Sequence, residues 1–599
     1  MLALTSRRLR GTARRVFGWQ QLRPAQLSAM KAVMKGHDVL AVMPTGAGKS
    51  AVYQVPAVLL GGPVMVVSPL IALQRDQMQS LLGSGALRTA AINSAQRRSD
   101  NETAWARISA SSVDVVFLAP EQLAKPDVTD RLAAVRLRLL VVDEAHCVSS
   151  WGHDFRPDYL RLRHARERLG NPPVLALTAN AAAPVRRDIA ERLGMKDPVE
   201  IVAGFDRPNI HLDVSPFQDA AAKERFVLER TAVEEKPGIL YAGTRKAADS
   251  YAEQLSDLGL AAASYHAGLS AAERRQAQDR FGSGELDVVV ATSAFGMGID
   301  KANVRFVLHA SVPGSLDAYY QEIGRAGRDG APARAILAYR PQDLGLQRFF
   351  ATGAPDADAL RRVAELLRGE AAAVSATRLR AECELGATAL SAVLNLLEET
   401  GTVRTGRDGS RFIGADGASA DDDLDAVVRS ALAVHATHLK LEQSRVDMMR
   451  GYAETTDCRR RFLLGYFGDS GPVPCGACDN CTGPVTKPYT SGLRRVRSVN
   501  AGRPDKATAR QRRWPRAGAR SDATAGAVRA AETVARPATD DHAYLPGVRV
   551  SHDQWGRGEV MSEGDGKLTI LFESVGYRTL SLAVVTDKQL LVALPDAPR

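Results

Sequence analysis

The chain has 599 residues, 24% of them charged, with a formal net charge of +10. That length exceeds what one hydrophobic core organises, so several packed units are expected, and the basic surplus favours a polyanionic partner. Apolar runs such as Pro63 to Val67 and Leu139 to Val142 have the length of buried strands and fall short of a bilayer span.

The segment from Met1 to Gly18 is rich in arginine and free of acids. It reads as a short basic helix leading into the first domain, with a transit peptide as the alternative. From about residue 30 to 345, short apolar runs alternate with amphipathic stretches, among them Val64 to Ser68, Val113 to Leu118, Val174 to Thr178, Gly238 to Ala242 and Val304 to His309. This pattern predicts parallel sheets with crossover helices. A connector near Phe205 to Ile210 divides it into two α/β lobes, residues 1–203 and 204–350, facing a cleft. Leu360, Val363, Ala364 and Leu367 share one face of a helix; a second helix follows Ser375, and a third carries Leu390, Val393, Leu394 and Leu397. A hairpin over Thr402 to Arg404 and Arg411 to Ile413 completes a winged-helix pattern at residues 356–414. Its arginines Arg404, Arg407 and Arg411 are candidates for phosphate, while the third helix lacks the basic residues of a groove reader.

A long helix from Leu424 to about Gly451 then leads to a cysteine cluster, within a helical module at residues 420–483. Residues 484–543 crowd arginines (Arg494, Arg495, Arg497, Arg510, Arg512, Arg513, Arg516) among Ala, Gly, Pro and Ser, and read as a disordered basic linker. Strand-like pieces at Val548 to Val550, Leu568 to Phe572 and Tyr577 to Leu580 predict a small β-barrel at residues 544–599.

Three motifs carry the chemistry. Thr45-Gly46-Ala47-Gly48-Lys49-Ser50 follows a buried strand and precedes a helix, the context of a phosphate loop. Its glycines let backbone N–H groups curl around phosphate, Lys49 reaches the β- and γ-phosphates, and the Ser50 hydroxyl holds Mg²⁺. Met43 stands where the general pattern has its first glycine. The second motif, Asp143-Glu144-Ala145-His146, ends another apolar run; Asp143 is suited to Mg²⁺ and Glu144 to orienting the attacking water. The third, Gln321-Glu-Ile-Gly-Arg325-Ala-Gly-Arg328, offers two arginines from the second lobe to the γ-phosphate. ATP with Mg²⁺ is therefore the expected substrate.

These residues resemble superfamily 2 helicases and, within them, the RecQ family, over roughly residues 15–345 and again from 440 to 482. The stretch Phe17 to Gln26 is similar to the family's first motif, which implies that Gln26 reads adenine and Arg23 helps fix the nucleotide. Ser68 to Gln77, Thr244-Arg245 and His266 to Leu269 resemble elements that hold the phosphates of a DNA strand, and Val290 to Asp300, which carries Thr292, resembles the motif that links the strand to the nucleotide. Cys147 to Pro157 is similar to the family's aromatic-rich loop, with Trp151, His153, Phe155 and Arg156 placed to stack on or pair with single-stranded DNA. Leu177-Thr-Ala-Asn180 departs from the family's Leu-Thr-Ala-Thr at its last position.

Cys458, Cys475, Cys478 and Cys481 have the spacing of a closed tetrahedral site and resemble the RecQ zinc module, which implies structural Zn²⁺. The family places a winged helix after that module; here the pattern comes before it. The terminal segment resembles the Tudor-like barrel of UvrD-type helicases, implying contacts with a protein such as RNA polymerase. The expected fold class is α/β: two RecA-like parallel-sheet lobes, a winged helix, a helical zinc module and a small barrel. The expected activity is ATP-dependent 3′ to 5′ DNA unwinding in repair or recombination, in the cytoplasm at the nucleoid of a bacterium. Two other readings share the motifs: a DNA-stimulated translocase that remodels protein–DNA complexes, and a winged-helix DNA-binding regulator with an inactive motor. Intact Lys49, Glu144, Arg325 and Arg328 speak against the second.

Overall fold

The structure is a computed structural model that describes residues 2–483 and 544–594, apart from 70, 86, 94–95, 124, 150–155, 157–158, 160, 297–300, 346, 348–355, 370–373, 406–410, 415–423, 470, 473 and 565. The first lobe holds strands β1 (Val39–Val42), β2 (Val64–Val67), β3 (Thr89–Ile92), β4 (Val115–Leu118), β5 (Leu139–Val142), β6 (Val174–Thr178) and β7 (Val199–Val202). They form one parallel sheet in the order β3-β4-β2-β5-β6-β1-β7. Six of the seven are buried along their length because crossover helices cover both faces, which is why the sequence shows continuous apolar runs instead of alternation. Only the edge strand β7 is largely exposed.

The first sheet is braced below β1 by a buried ion pair. Asp38 takes Arg166 Nη2 at 2.9 Å on both carboxylate oxygens and also accepts the backbone N–H groups of Val174 and Lys196, each at 2.8 Å. One carboxylate thus ties together the starts of β1 and β6 and the turn before β7.

The second lobe repeats the plan with β8 (Ile210–Pro216), β9 (Gly238–Tyr241), β10 (Ala262–Tyr265), β11 (Val288–Ala291), β12 (Phe306–His309) and β13 (Ala333–Tyr339). Their parallel order is β10-β11-β9-β12-β13-β8. Side-chain caps start its helices: Asp219, Thr244, Ser270 and Ser315 each accept a backbone N–H of the first turn. The expected α/β class with two parallel-sheet lobes is the class observed.

Helices Ala357–Gly369, Ala376–Glu382 and Ala387–Glu399 pack with β14 (Val374–Ser375), β15 (Val403–Thr405) and β16 (Arg411–Gly414), which pair antiparallel in the order β14-β16-β15. Leu360, Val363, Leu367, Leu390, Val393 and Leu397 form this core with Val428 and Ala431 of the long helix Leu424–Glu454. Arg407 lies outside the described residues, as do the side chains of Arg404 and Arg411. Farther along, Leu441, Val446, Met449 and Tyr452 of the same helix join the large core of the lobes and the zinc module.

The terminal segment forms β17 (Arg549–His552), β18 (Gly556–Gly564), β19 (Lys567–Phe572), β20 (Gly576–Ser581) and β21 (Leu591–Ala593), an antiparallel sheet in the order β20-β19-β18-β17-β21. It has a small core of its own, Val550, Val560, Leu568, Ile570, Phe572, Val585 and Leu591, and lends Met561, Leu571 and Tyr577 to the large one. Residues 1–484 and 544–599 make one compact unit. The expected basic linker at 484–543 lies outside the described residues.

Candidate nucleotide and nucleic-acid site

The phosphate loop leaves the C-terminal end of β1, and Gly46 and Gly48 adopt φ of +80° and +72°, a region costly for side-chain-bearing residues. Gln26, from helix Pro24–Met34, donates its amide N–H groups to the carbonyls of Ala47 at 2.9 Å and Gly48 at 3.0 Å. Its Oε1 accepts the Arg23 N–H at 2.8 Å. In this structure the amide expected to read adenine is thus turned onto the loop, where it shapes the phosphate cradle.

Asp143 and Glu144 follow β5 and line the same cavity as that loop. Gln77 donates to Asp143 Oδ2 at 3.3 Å, and Tyr53 donates to Gln77 at 3.1 Å. Burial, with Glu144 next in line, pushes the Asp143 carboxyl up to about 6, while Lys49 pulls it down. A buried carboxylate beside a like charge is stabilised by nearby positive charge, part of which Lys49 provides. The donor set therefore fits Mg²⁺, with Asp143 and the Ser50 hydroxyl as the groups that would hold it.

Across the cleft, Gln321, Arg325 and Arg328 sit on and just after helix Leu316–Ile323. Arg328 lies along Gly46, where an added Cβ would meet its Cγ at 3.1 Å, and Arg325 packs against Gly296. A cavity of about 720 Å³ is lined by Arg23, Gln26, Thr45 to Ser50, Asp143 and Glu144 from the first lobe and by Gln321, Arg325 and Arg328 from the second. Two sets of residues at least 177 positions apart thus share one pocket.

The four cysteines of the cluster have Sγ atoms all within 4.8 Å of one another, Cys475 and Cys481 at 3.9 Å. Tetrahedral zinc with Zn–S of about 2.3 Å sets its sulfurs about 3.8 Å apart, so the arrangement accepts the ion with small shifts. Cys458 precedes helix Arg459–Tyr466, and the Leu212 N–H donates to the Ala477 carbonyl at 3.1 Å, fastening the knuckle to β8. Four protein thiolates leave no open position, so the metal is structural.

The remaining candidates line the C-terminal edges of the sheets, where open α/β folds bind ligands. Ser68 follows β2, and Arg156 Nη1 donates to the Pro69 carbonyl at 3.2 Å. In the second lobe Thr244 caps helix Arg245–Asp257, Arg245 lies against Gly268, and Thr292 follows β11. His266 takes the Gly268 N–H on Nδ1 at 3.2 Å, which turns Nε2–H to Asp249 at 2.9 Å. Trp151, His153 and Phe155 lie outside the described residues.

Family models match in the same order: DEAD/DEAH box helicase at residues 23–187, helicase conserved C-terminal domain at 222–330, and RecQ zinc-binding at 423–482. The chain is 41% identical over 341 residues to the probable ATP-dependent DNA helicase RecS of Bacillus subtilis, covering 57% of this chain and 68% of the relative. The chain belongs to the RecQ family of ATP-dependent DNA helicases. It is 32% identical over 474 residues to RecQ of Haemophilus influenzae and 33% over 469 to RecQ of Bacillus subtilis. Those alignments cover 79% and 78% of this chain but 63% and 65% of the relatives. The terminal sheet matches, at residues 545–589, a family described as a protein of unknown function.

Within this RecQ-type motor, the departure at Asn180 acquires a physical meaning. Thr178 Oγ1 donates to the Asn180 carbonyl at 3.0 Å and so accepts the His146 Nδ1–H, also at 3.0 Å. His146 Nδ1 lies 3.4 Å from Glu144 Oε2. The Asn180 amide, 1% exposed, reaches the second lobe at Asp317, 3.4 Å from its carbonyl and 3.5 Å from its carboxylate. A threonine is too short to do this. Two other residues of the site fell inside motifs read from sequence without a role at the nucleotide. Gln77 touches Asp143 because helix Ile71–Ser84 carries it to the residue that follows β5, a relation no local pattern carries. Trp19, stacked on Phe17 at 4.6 Å, lines the nucleotide cavity; its aromatic face just before Arg23 was the available signal.

Proposed function

We propose that this RecQ-family chain couples ATP hydrolysis to 3′ to 5′ travel along one DNA strand and to separation of the duplex. The observation that carries the reading is the single cavity shared by Lys49, Asp143 and Glu144 with Gln321, Arg325 and Arg328. Bound Mg²⁺ supplies charge neutralisation at the β- and γ-phosphates. Lys49 binds the same phosphates, Glu144 orients the attacking water and accepts its proton, and Arg325 and Arg328 balance charge on the transferring group. Because these arginines belong to the other lobe, the reacting geometry exists only with the cleft closed, and each turnover becomes a closing and opening motion.

The strand lies across the sheet edges at Ser68, Arg156, Thr244, Arg245, His266 and Thr292, with the loop of Trp151, His153 and Phe155 sensing its bases. Repair or recombination at the bacterial nucleoid is the setting that suits such a motor. The terminal sheet is the part available for a protein partner such as RNA polymerase. Support comes from Val584 and Val592, both exposed on that sheet and its helix. ATPase assays with and without single-stranded DNA, on wild type and Lys49→Ala, test the motor: stimulation by DNA in the wild type alone is expected, and its absence overturns the reading. Strand separation on forked DNA by a variant lacking residues 356–414 tests whether the winged helix splits the duplex. Partner capture with and without residues 540–599 tests the terminal sheet.

A further inference from the structure

Arg207, in the connector between β7 and β8, makes four hydrogen bonds, all to peptide carbonyls. Its Nη1 donates to Thr45 at 3.2 Å and Gly324 at 3.0 Å, and its Nη2 to Ala326 at 2.8 Å and Gly327 at 3.1 Å. Thr45 opens the phosphate loop. The other three acceptors lie in the turn just past helix Leu316–Ile323 and flank Arg325, at the helix end where the dipole favours a cation. One planar fork therefore holds the loop that grips phosphate and the turn that delivers the arginines.

The connector around it is tied down on several sides. Phe205 stacks on Phe467 at 4.7 Å, donates its N–H to Asp469 at 2.8 Å and accepts the Tyr320 hydroxyl at 2.8 Å. Arg460 of the zinc module pairs with Asp206 and donates to the Ile210 carbonyl at 2.6 Å. Asn209 adds donations to Gly327 at 2.8 Å and Ala331 at 2.9 Å, holding the far side of the same turn. Gly327, at φ +55°, has no room for a side chain: a Cβ would fall 2.4 Å from Asn209 Nδ2. Of the four Arg207 bonds only that to Thr45 crosses to the first lobe, and there the lobes touch, since a Cβ at Gly324 would lie 3.5 Å from Thr45 Cβ.

We propose that Arg207 is a positioning residue for hydrolysis, setting the distance between the phosphate loop and Arg325 in the closed cleft. Opening breaks the Thr45 bond and leaves the three bonds within the second lobe, so the turn stays formed while its register with the phosphate loop is lost. Arg207 touches no reacting atom and acts through both loops. Lysine replaces the fork only in part, keeping the charge and three donors on a point charge but not the planar pair.

This rests on the motor reading above. The test uses the full chain as wild type, Arg207→Ala and Arg207→Lys, measuring ATP hydrolysis with single-stranded DNA, binding of a fluorescent ADP analogue, and thermal unfolding. Loss of charge-assisted bonds to both loops is expected to lower kcat on the order of tenfold or more in Arg207→Ala. Analogue affinity and KM should stay within about threefold of wild type, with part of kcat recovered in Arg207→Lys. A kcat for Arg207→Ala within about twofold of wild type, or a loss of kcat matched by equal losses in affinity and stability, overturns the proposal. A wild type that hydrolyses no ATP with DNA overturns the motor reading and this one with it, whereas a stimulated wild type with an equally active Arg207→Ala overturns this one alone.

Discussion

Tyr466 and Tyr577 lie with ring centroids 4.9 Å apart, joining the helix that begins at the zinc cysteine Cys458 to the terminal sheet. Around them, Arg445 is buried with Glu442 as its ion-pair partner, Tyr466 donates to Asp317 of the second lobe, and Arg187 of the first lobe pairs with the buried Glu559. The sheet therefore meets the zinc-module helix and the first lobe, and Tyr466 carries the contact on to the second lobe. Tyr577→Ala removes a buried ring from this junction and should cost about 3–5 kcal/mol. Denaturant unfolding checks it; an unchanged midpoint would show the sheet to be independent of the motor.

Asn180 spans from the Glu144–His146–Thr178 chain to Asp317. Asn180→Ala should leave nucleotide affinity near wild type and reduce DNA-stimulated turnover roughly tenfold, the effect of about 1.4 kcal/mol from a buried hydrogen bond. Parallel ATPase and analogue-binding titrations decide; equal turnover would remove Asn180 from the coupling path.

The zinc module should bind one metal ion per chain, measured by atomic absorption, and chelation should unfold it. Cys478→Ser is expected to lose the ion, and with it the packing of Leu463, Leu464 and Tyr466, which share a core with the lobes. Retention of full metal content by the variant would count against a four-thiolate site.

Removing the Asp38 carboxylate leaves Arg166 buried without its counter-charge. Asp38→Ala should destabilise the first lobe by about 3–5 kcal/mol while leaving the nucleotide cavity chemically intact. A shift in the unfolding midpoint, with kcat retained at low temperature, is the expected signature.

Much of this molecule was legible in the chain. The phosphate loop and acidic box announced themselves because parallel strands buried on both faces leave continuous apolar runs, and the residues that follow those runs sit at the sheet edge where ligands bind. The helix expected over Leu424 to about Gly451 spans Leu424–Glu454, and the hairpin expected before it is present as β15 and β16. The cysteine spacing named the metal. Such signals are local, set by periodicity and by the chemistry of neighbours.

What tertiary structure alone decided is which distant groups meet. Gln77 reaching Asp143, Asn180 reaching Asp317, Arg207 reaching Thr45 and Glu559 pairing with Arg187 are separated by 66, 137, 162 and 372 positions. No periodicity encodes such pairs; they exist because two sheets close on one cleft and the terminal sheet packs against the first lobe and the helices of the zinc module. The sequence by itself determined the engine's parts, since each is a short pattern with its own chemistry. Their coupling was decided by folding, because a hydrogen bond across a cleft depends on the arrangement of whole lobes.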